Sequence, residues 1–476
     1  MLGRIFKAYD IRGTYPDLLN DTMAWQIGYG ASKYLLADAA AAGETTPMMK
    51  NIVVGRDMRT SSPTLSKQVI QGIRDQGGDV IDIGMCDTSM IYFAVNHLDC
   101  AGGVMVTASH NPPNYNGFKI SKRKAKPVGE STGLGDIRKH AAMVDKATLV
   151  KQSGRLEERD LWTPYAKHVR SFLQLPAGKK LKVVIDASNG MAGTMIPKIF
   201  GKGSPLGVPP GVEIIELNFD NTKGVFVHEP NPLVAANMKW TQEAVLKHKA
   251  DVGFCYDGDA DRCMAVDEKG QIVGCDHLTA LLAKHFIAKH PGAKVAYDLR
   301  STKAVEEDIV KAGGKPIRGR VGHVFMKQAL AEHGCAFGGE LSGHFYFADN
   351  FNADSGAIAM SVLLTVLATS GKHLSELIKP IARYAQSGEI NYQVEDKDAV
   401  LTSLKHDYGP GTLADGSVDE LDGVTIDCFK KHGWWANIRK SNTEPLLRLN
   451  MEAKDKATLQ RMIDAISPRL GKRVDH

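Results

Sequence analysis

Three segments of the chain share the same order of apolar and polar positions. They begin at Asn51, Leu181 and Ala293. Each segment starts with a short apolar run, continues through a polar loop into a stretch with apolar residues at helical spacing, and ends in a second apolar run. Because a strand, a crossover helix and a second strand connect in a right-handed sense and form a parallel sheet, this pattern predicts a repeated α/β unit.

An aspartate ends the first predicted strand of each segment. These residues are Asp57, Asp186 and Asp298, and their separations match the usual size of one domain, about 100 to 200 residues. In parallel α/β sheets, ligands bind at the carboxyl ends of the strands, where the polar loops lie. We therefore predict three α/β domains of similar plan in tandem, with the functional residues on loops that follow strands.

The pattern changes after about Gln386. Residues Val424–Phe429 and Leu446–Ala453 alternate between apolar and polar positions as half-exposed strands do, and an amphipathic helix is predicted from Lys456. This pattern predicts a smaller α+β domain at the end of the sequence. The predicted domains cover residues 1–158, 159–271, 272–385 and 386–476.

Composition and charge exclude several classes of protein. Hydrophobic residues form 43% and charged residues 24% of the 476 residues, which is typical of a soluble globular protein. The formal net charge of +5, from 59 basic and 54 acidic residues, gives no strongly basic field for nucleic acid. The longest apolar run, Ala357–Gly371, is too short to span a bilayer. Seven cysteines without a CxxC pair favour a reducing compartment, so we expect a cytoplasmic protein that binds neither nucleic acid nor membrane.

Three aspartates lie within five residues in the sequence YDGDADR, Tyr256–Arg262. Asp257, Asp259 and Asp261 repel one another unless a cation lies among them, and we predict that Gly258 lets the backbone curl so that all three face one point. A calcium EF-hand has acidic residues at the same spacing. That loop requires glycine where Arg262 stands, however, and it lies between helices rather than the strands predicted here. Oxygen ligands with open positions favour Mg²⁺ instead.

Ser109 lies just beyond the predicted strand GGVMVTA, in the sequence TASHNP. A hydrolase nucleophile is disfavoured because no GxSxG elbow is present and because His110, the adjacent residue, is poorly placed to act as its base. Taken alone, Ser109 reads as an ordinary turn serine. Together with a magnesium loop, it can carry a phosphoryl group whose oxygen completes the metal shell.

Several motifs occur together in a characteristic order. They are FKAYDIRG (Phe6–Gly13), VGRDMRTSSP (Val54–Pro63), TASHNP, DGDADR, GELSGH (Gly339–His344) and RKSNTEP (Arg439–Pro445). In these motifs the chain resembles the α-D-phosphohexomutase superfamily over essentially its whole length, and it is most similar to the bacterial phosphomannomutase and phosphomannomutase/phosphoglucomutase branch. The resemblance implies four domains around a central cleft, with mixed, mainly parallel sheets in the first three domains and one functional loop from each domain.

The resemblance also implies roles for individual residues. Ser109 is the phosphoserine, and with Asp257, Asp259 and Asp261 it ligates Mg²⁺. The implied catalytic residues are Ser109, Lys119, Arg12, His110, Arg262 and His344. Lys119 and His344 are the candidates for the general base, and a lysine base needs a lowered pKa, which Arg12 or Arg262 could cause by repulsion. The implied substrate-binding residues are Tyr9, Arg300, Gly322, His323, Glu340, Ser342, His344, Arg439, Ser441, Asn442 and Thr443.

The implied reaction is the reversible conversion of mannose 6-phosphate to mannose 1-phosphate, with glucose phosphates as further substrates. It passes through the phosphoserine enzyme and a hexose 1,6-bisphosphate, which also serves as activator. The expected partners are small hexose phosphates, and the expected state is a monomer or a homodimer. Alternatives are a phosphoglucomutase or a phosphoglucosamine mutase of the same superfamily, a non-catalytic phosphosugar-binding protein, and a metal-dependent phosphatase. The Ser-Asn-Thr sequence at residues 441–443 disfavours the glucosamine enzyme, which has Ser-Gly-Thr.

Overall fold

The structure is a computed structural model that describes residues 2–144, 149, 153–441 and 446–474. The chain forms two compact units. The first unit contains Met1–Cys275 and Ser342–Glu376, and the second contains Asp276–Leu341 and Leu377–His476.

The first part of the chain forms a mixed sheet with helices packed on it. Its strands are β1 (Ile11–Thr14), β2 (Asn51–Arg56), β3 (Asp79–Met85), β4 (Gly102–Val106), β5 (Tyr115–Lys122), β6 (Lys126–Pro127) and β7 (Leu156–Glu158), and its helices are α1 (Asp21–Ala41), α2 (Ser62–Gln76), α3 (Thr88–His97) and α4 (Leu134–Ala142). The strand order is β1-β5-β4-β2-β3-β7, with β6 beside β5. Strands β4, β2, β3 and β7 are parallel, whereas β1 and β5 run antiparallel to their neighbours.

Strand β2 explains why the α/β segment that begins at Asn51 starts with an unbroken apolar run. Ile52, Val53 and Val54 are each fully buried, so both faces of the strand are covered. A strand buried on both faces has no polar alternation, as is usual in parallel α/β sheets. Its carboxyl end is therefore the first point at which polar residues appear.

The second sheet of the first unit repeats this plan. Its elements are α5 (Trp162–Arg170), β8 (Leu181–Asp186), α6 (Ala192–Ile199), β9 (Val212–Leu217), α7 (Lys239–His248), β10 (Val252–Tyr256), β11 (Cys263–Asp267) and β12 (Ile272–Val273). The strand order is β12-β11-β10-β8-β9. Strands β10, β8 and β9 are parallel, and β11 and β12 are antiparallel additions at one edge.

The third α/β segment begins with α8 (Cys275–Lys289). It continues with β13 (Lys294–Asp298), α9 (Lys303–Lys311), β14 (Lys315–Gly319), α10 (His323–His333) and β15 (Cys335–Gly339). Strand β13 pairs in parallel with both β14 and β15. The chain then forms the antiparallel pair β16 (Phe345–Phe347) and β17 (Ala353–Asp354), followed by α11 (Gly356–Ser370) and α12 (Leu374–Ile378).

The last part of the second unit is an antiparallel sheet with helices. Its elements are β18 (Ala385–Gln393), α13 (Lys397–Tyr408), β19 (Ser417–Asp419), β20 (Val424–Asp427), α14 (Phe429–His432), β21 (Trp434–Lys440), β22 (Leu446–Ala453), α15 (Lys456–Ile466) and β23 (Lys472–Val474). The strand order is β19-β20-β21-β22-β18-β23. The predicted fold class, three α/β segments followed by a smaller α+β segment, is confirmed.

The three strand-end aspartates form the same local turn. Each carboxylate accepts a hydrogen bond from the backbone N–H two residues further on. The N···O distances are 3.0 Å for Arg59 to Asp57, 2.9 Å for Ser188 to Asp186, and 2.8 Å for Arg300 to Asp298. The aspartate therefore turns the chain out of the sheet at the same point in each segment, where the polar loops begin.

The described helices include none that is both long enough and apolar enough to cross a membrane. Helix α11, which contains the longest apolar run of the sequence, has 15 residues. Its residues are buried on nearly all sides, so its apolar character reflects packing inside the first unit.

Candidate active site

Ser109 occupies a strained position directly after strand β4. Its φ is +50°, in the left-handed region that residues other than glycine rarely adopt. Its backbone N–H donates to Thr107 Oγ1 at 2.9 Å, and its own hydroxyl donates to Asp257 Oδ2 at 3.0 Å. A buried serine in a strained conformation beside a carboxylate is typical of a functional site, where the surrounding structure maintains the strain.

Arg59, which is not among the site residues predicted from the sequence, holds the Ser109 loop in place. Its side chain is fully buried and pairs with Asp57 at 3.0 Å. The guanidinium donates to three carbonyl oxygens of the loop, those of Ser109, Asn111 and Pro112, and to that of Tyr115, where β5 begins. One guanidinium thus satisfies carbonyl groups of an irregular loop. The repeated Asp-x-Arg at the ends of β2 and β13 was the available signal in the sequence.

Replacing Arg59 with methionine should lower the free energy of unfolding by about 3 to 5 kcal/mol, because the carboxylate of Asp57 and the loop carbonyls lose their buried partner. Denaturant unfolding measures this change. Arg138→Met is the matched control, since Arg138 and Glu130 form an exposed pair on α4 and the preceding turn, and it should change stability by less than about 1 kcal/mol. Equal losses in the two variants would contradict the role of Arg59.

Three aspartates converge after strand β10. Asp257, Asp259 and Asp261 are buried, and one carboxylate oxygen of each lies within 4.8 Å of the others. The explanation predicted for Gly258 is wrong, because the left-handed residue of this loop is Ala260, with φ +59°. Glycine is needed for close approach instead, since a Cβ at position 258 would lie 2.2 Å from the carbonyl oxygen of Ser109. The aspartate loop and the serine loop are therefore in backbone contact.

Lys119 and Arg262 neutralise the aspartates. The Lys119 ammonium lies 2.7 Å from Asp259 and 2.6 Å from Asp261, and Arg262 Nε lies 2.9 Å from Asp257. Burial by itself lowers the pKa of Lys119, but the carboxylates of Asp259 and Asp261 raise it well above its usual value. The lowered pKa that a lysine base requires is therefore not found in this arrangement, because two carboxylates contact the ammonium directly.

The pKa values of two of the aspartates, Asp257 and Asp259, shift in opposite directions. Burial raises the pKa of Asp257 to about 7, although Arg262 opposes it. Burial also acts to raise the pKa of Asp259, but Lys119 and the Thr88 hydroxyl, which donates at 2.6 Å, lower it below its usual value. Within the described structure, the second oxygens of Asp259 and Asp261 are buried and accept no hydrogen bond. Unused buried carboxylate oxygens of this kind fit a hard cation such as Mg²⁺.

His110 and Arg12 complete the surroundings of Ser109. His110 Nδ1 lies 3.3 Å from Ser109 Oγ and 2.7 Å from Arg262 Nη2. Burial and the adjacent Arg262 lower the pKa of His110 well below its usual value, so the imidazole is neutral. Because Arg262 donates to the same ring nitrogen, that nitrogen is poorly placed to take the serine proton. Arg12, on β1, pairs with Asp10 at 2.7 Å and donates to the side chain of Asn111.

His344 belongs to the same unit as Ser109 and the aspartates. Its Nδ1 lies 2.7 Å from Asp354 and 3.9 Å from Asp261. Asp354, at the end of β17, is buried and was not identified from the sequence. The carboxylate fixes the orientation of the imidazole and the position of its proton on Nδ1, so Nε2 is the nitrogen that can accept a proton.

The remaining predicted binding residues are distributed over both units. Tyr9 is half-buried in the bend before β1, and Ser342 also belongs to the first unit. Arg300, Gly322, His323, Glu340, Arg439 and Ser441 belong to the second unit. Asn442 and Thr443 lie outside the described residues.

Within the second unit, Glu340, Arg300 and Arg439 each have a defined polar partner. Glu340 accepts the backbone N–H of Gly322 at 2.8 Å, where helix α10 begins at His323. Arg300 forms a double contact with Asp298, at 2.9 and 3.2 Å. Arg439 donates to Glu389 at 2.8 Å.

The chain matches family models along nearly its whole length. Residues 3–147, 163–270 and 275–384 match the alpha/beta/alpha domains I, II and III of phosphoglucomutase/phosphomannomutase, and residues 389–468 match the C-terminal domain. The chain belongs to the phosphoglucomutase/phosphomannomutase family. The predicted superfamily and the predicted class of enzyme, a phosphohexomutase, are thereby confirmed.

Similarity to individual proteins also supports the assignment to the phosphoglucomutase/phosphomannomutase family. The phosphomannomutase of Salmonella montevideo is 37% identical over 452 residues, which is 94% of each chain. The structure of a phosphoglucomutase/phosphomannomutase family protein from Burkholderia thailandensis has a TM-score of 0.84 at 30% identity, covering 98% of this chain and 96% of that one. N-acetylphosphoglucosamine mutase of Aspergillus fumigatus, in complex with GlcNAc-6P and magnesium, shares the fold with a TM-score of 0.61 at 14% identity, over 98% of this chain and 96% of that one. The domain boundaries given above and the roles of single residues stay predictions.

Proposed function

We propose that this phosphohexomutase interconverts mannose 6-phosphate and mannose 1-phosphate, and that it also accepts glucose phosphates. The observation that carries the proposal is the contact between Ser109 Oγ and Asp257, in a strained loop beside three buried aspartates. Such an arrangement suits a serine that carries a phosphoryl group next to a divalent cation. In the proposed cycle, phosphorylated Ser109 gives its phosphoryl group to the free sugar hydroxyl, which yields a hexose 1,6-bisphosphate and the free serine. After reorientation of the bisphosphate, Ser109 takes the other phosphoryl group.

We assign the metal site to Asp257, Asp259 and Asp261, with a phosphate oxygen on Ser109 as a further ligand. The unused buried oxygens of Asp259 and Asp261 support this assignment. A bound Mg²⁺ supplies Lewis-acid stabilisation of charge on the phosphoryl oxygens. Lys119 and Arg262, which contact the same carboxylates, add positive charge that favours the dianion.

We assign the general base to His344 rather than to Lys119. The Nδ1–H of His344 points to Asp354, so Nε2 can accept the proton of the attacking sugar hydroxyl. The Lys119 ammonium is stabilised by two carboxylates, which opposes release of its proton. In this scheme Lys119 and Arg12 stabilise the charge of the phosphoryl group.

His344→Asn should lower kcat by about 10² to 10⁴-fold with a small change in KM, because a general base contributes that much. Steady-state assays of mannose 1-phosphate formation measure it. His333→Asn is the control, since His333 lies exposed at the end of α10. Full turnover by His344→Asn, together with an inactive Lys119→Met, would indicate that Lys119 is the general base. Full turnover by Lys119→Met would exclude Lys119 as the base.

We assign the non-reacting phosphate of the substrate to Arg439, Ser441, Asn442 and Thr443, with Arg300 nearby in the same unit. In the described part of the chain, the buried Nε of Arg439 has no hydrogen-bond acceptor, which leaves a charged donor for a phosphate oxygen. Glu340 and Ser342 are assigned to the sugar hydroxyls. The epimers mannose and glucose differ at one hydroxyl, so one hydrogen bond separates the two substrates.

Two measurements test the proposal together. The intact mass of the protein should include one phosphoryl group on Ser109 that phosphatase removes, and mannose 6-phosphate should be converted to mannose 1-phosphate with Mg²⁺ and a trace of hexose 1,6-bisphosphate. Stimulation by the trace bisphosphate would support its role as activator. Absence of both the phosphoryl adduct and the isomerisation would refute a mutase. Release of inorganic phosphate without isomerisation would identify the phosphatase instead, and preference for glucosamine 6-phosphate would identify the glucosamine enzyme.

The cellular context follows from the same proposal. Small hexose phosphates are the proposed partners, and the proposed compartment is the cytoplasm. We propose a monomer or a homodimer, and light scattering of the purified protein distinguishes the two.

A further inference from the structure

Three arginines of the second unit share one carboxylate. Arg439 Nη2 donates to Glu389 Oε2 at 2.8 Å, and Arg448 Nη1 donates to Oε1 at 3.0 Å. Arg300 Nη1 lies 3.6 Å from Oε2. Glu389 is therefore the common counter-ion of three positive charges, which we call the arginine cluster.

Strand register places two of these charges directly opposite each other. Arg439 of β21 pairs with Arg448 of β22 in the antiparallel ladder. Like charges directly opposite on neighbouring strands destabilise a sheet. On the other side of β22, Asn391 of β18 is opposite Arg448, and Glu389 lies two residues earlier on the same face. The carboxylate is thus a diagonal neighbour of the like-charged pair.

Burial makes this arrangement sensitive to charge. The Arg439 side chain is 6% exposed and that of Glu389 is 23% exposed. Burial lowers the pKa of Arg439, and repulsion by Arg300 and Arg448 lowers it further, while Glu389 opposes both effects. Arg300 has a second carboxylate, Asp298, at 2.9 Å, so its position depends less on Glu389. Arg439 therefore depends more on Glu389 than Arg300 does.

We propose that Glu389 is a positioning residue for Arg439, a role that rests on the proposed function of Arg439 in phosphate binding. Glu389 neutralises the repulsion between Arg439 and Arg448 and occupies one edge of the Arg439 guanidinium. A guanidinium has five N–H donors, so Arg439 keeps donors that Glu389 does not use, its Nε among them, for the oxygens of a phosphate. Without the carboxylate, the arginines would move apart and Arg439 would lose its orientation.

Glu389→Gln tests this role because glutamine keeps the size and one acceptor oxygen but removes the charge. We expect KM for mannose 6-phosphate to rise about tenfold or more, because the arginine that binds the phosphate is displaced. The kcat at saturating substrate should change less than about threefold, since Glu389 does not contact the reacting groups. Glu389→Asp keeps the charge and should raise KM less than Glu389→Gln. Glu420→Gln, which removes a carboxylate from an exposed pair with Lys405 in the same unit, should leave KM unchanged.

A second-site change separates charge balance from a simple loss of packing. In the double variant Glu389→Gln with Arg448→Gln, the like charge opposite Arg439 is gone, so KM should fall back toward the wild-type value. A KM for Glu389→Gln that equals or falls below that of wild type would overturn the proposal, because the carboxylate would then be neutral to phosphate or compete with it. Failure of the double variant to recover KM would also overturn it.

The controls keep this test distinct from the proposed function. Wild-type protein without mutase activity refutes the proposed function, whereas active wild type with unaffected Glu389→Gln refutes only the role of Glu389. Circular dichroism verifies that each variant is folded. If Glu389→Gln does not fold, Glu389→Asp decides: a raised KM supports the role, and an unchanged KM overturns it, because the shorter side chain cannot reach both arginines.

Discussion

Ser109→Ala is expected to abolish mutase activity, with kcat reduced by roughly 10⁴-fold or more, because the residue that forms the covalent intermediate is lost. The hydroxyl that lies 3.0 Å from Asp257 is the only group removed by this change. Intact mass should show no phosphoryl adduct after incubation with hexose 1,6-bisphosphate. Assays of mannose 1-phosphate formation and the mass spectrum together measure the effect.

Ser121→Ala is the matched control for this variant. Ser121 lies on β5, is 2% exposed, and its hydroxyl has no hydrogen-bond partner among the described residues. Loss of this hydroxyl should leave both the adduct and the turnover intact. A phosphoryl adduct that persists in Ser109→Ala would show that a residue other than Ser109 is phosphorylated.

Asp259→Asn is expected to lower kcat by about 100-fold or more and to weaken the dependence of the rate on Mg²⁺, because one anionic ligand is lost. Asparagine keeps the shape of the side chain and the hydrogen bond from Thr88, so the change is mainly one of charge. Lys119 would also lose one of its two carboxylate partners. Titration of activity with Mg²⁺ after treatment with a chelator measures both effects.

The control for the metal site is Asp220→Asn, which removes an exposed aspartate from a loop of the same unit. Its titration curve should match that of wild type. Chelator-treated wild type that keeps full activity would contradict a metal requirement. Equal Mg²⁺ dependence in Asp259→Asn and wild type would show that Asp259 is not a metal ligand. It would not contradict the proposed role of Ser109.

Local sequence was sufficient to predict the secondary structure elements and the loops that hold the candidate functional residues. Continuous apolar runs such as Ile52–Val54 predict buried strands, because a strand covered on both faces has no polar alternation. The position of Ser109 at the end of β4 follows from the same pattern. The close spacing of Asp257, Asp259 and Asp261 predicts convergence, because a turn after a strand keeps such neighbours together.

Contacts between residues distant in the chain leave no signal in the local sequence. Arg59 contacts a loop some fifty residues later in the chain, and its four carbonyl partners are backbone atoms that leave no trace in side-chain patterns. The raised pKa of Lys119 depends on two carboxylates that contact its ammonium and that lie some 140 residues later in the chain. The partner of His344, Asp354, likewise depends on how β17 folds back.

The sequence by itself determined the repeated α/β plan, the family, and the residue types at the site, because these depend on periodicity and on short motifs. The tertiary structure alone decided which charges pair. Glu389, Arg439 and Arg448 come from three strands, and only strand register shows that one carboxylate lies beside two opposed arginines. Charge interactions act through space and depend on burial, so their sign and strength are set by the fold and not by position along the chain.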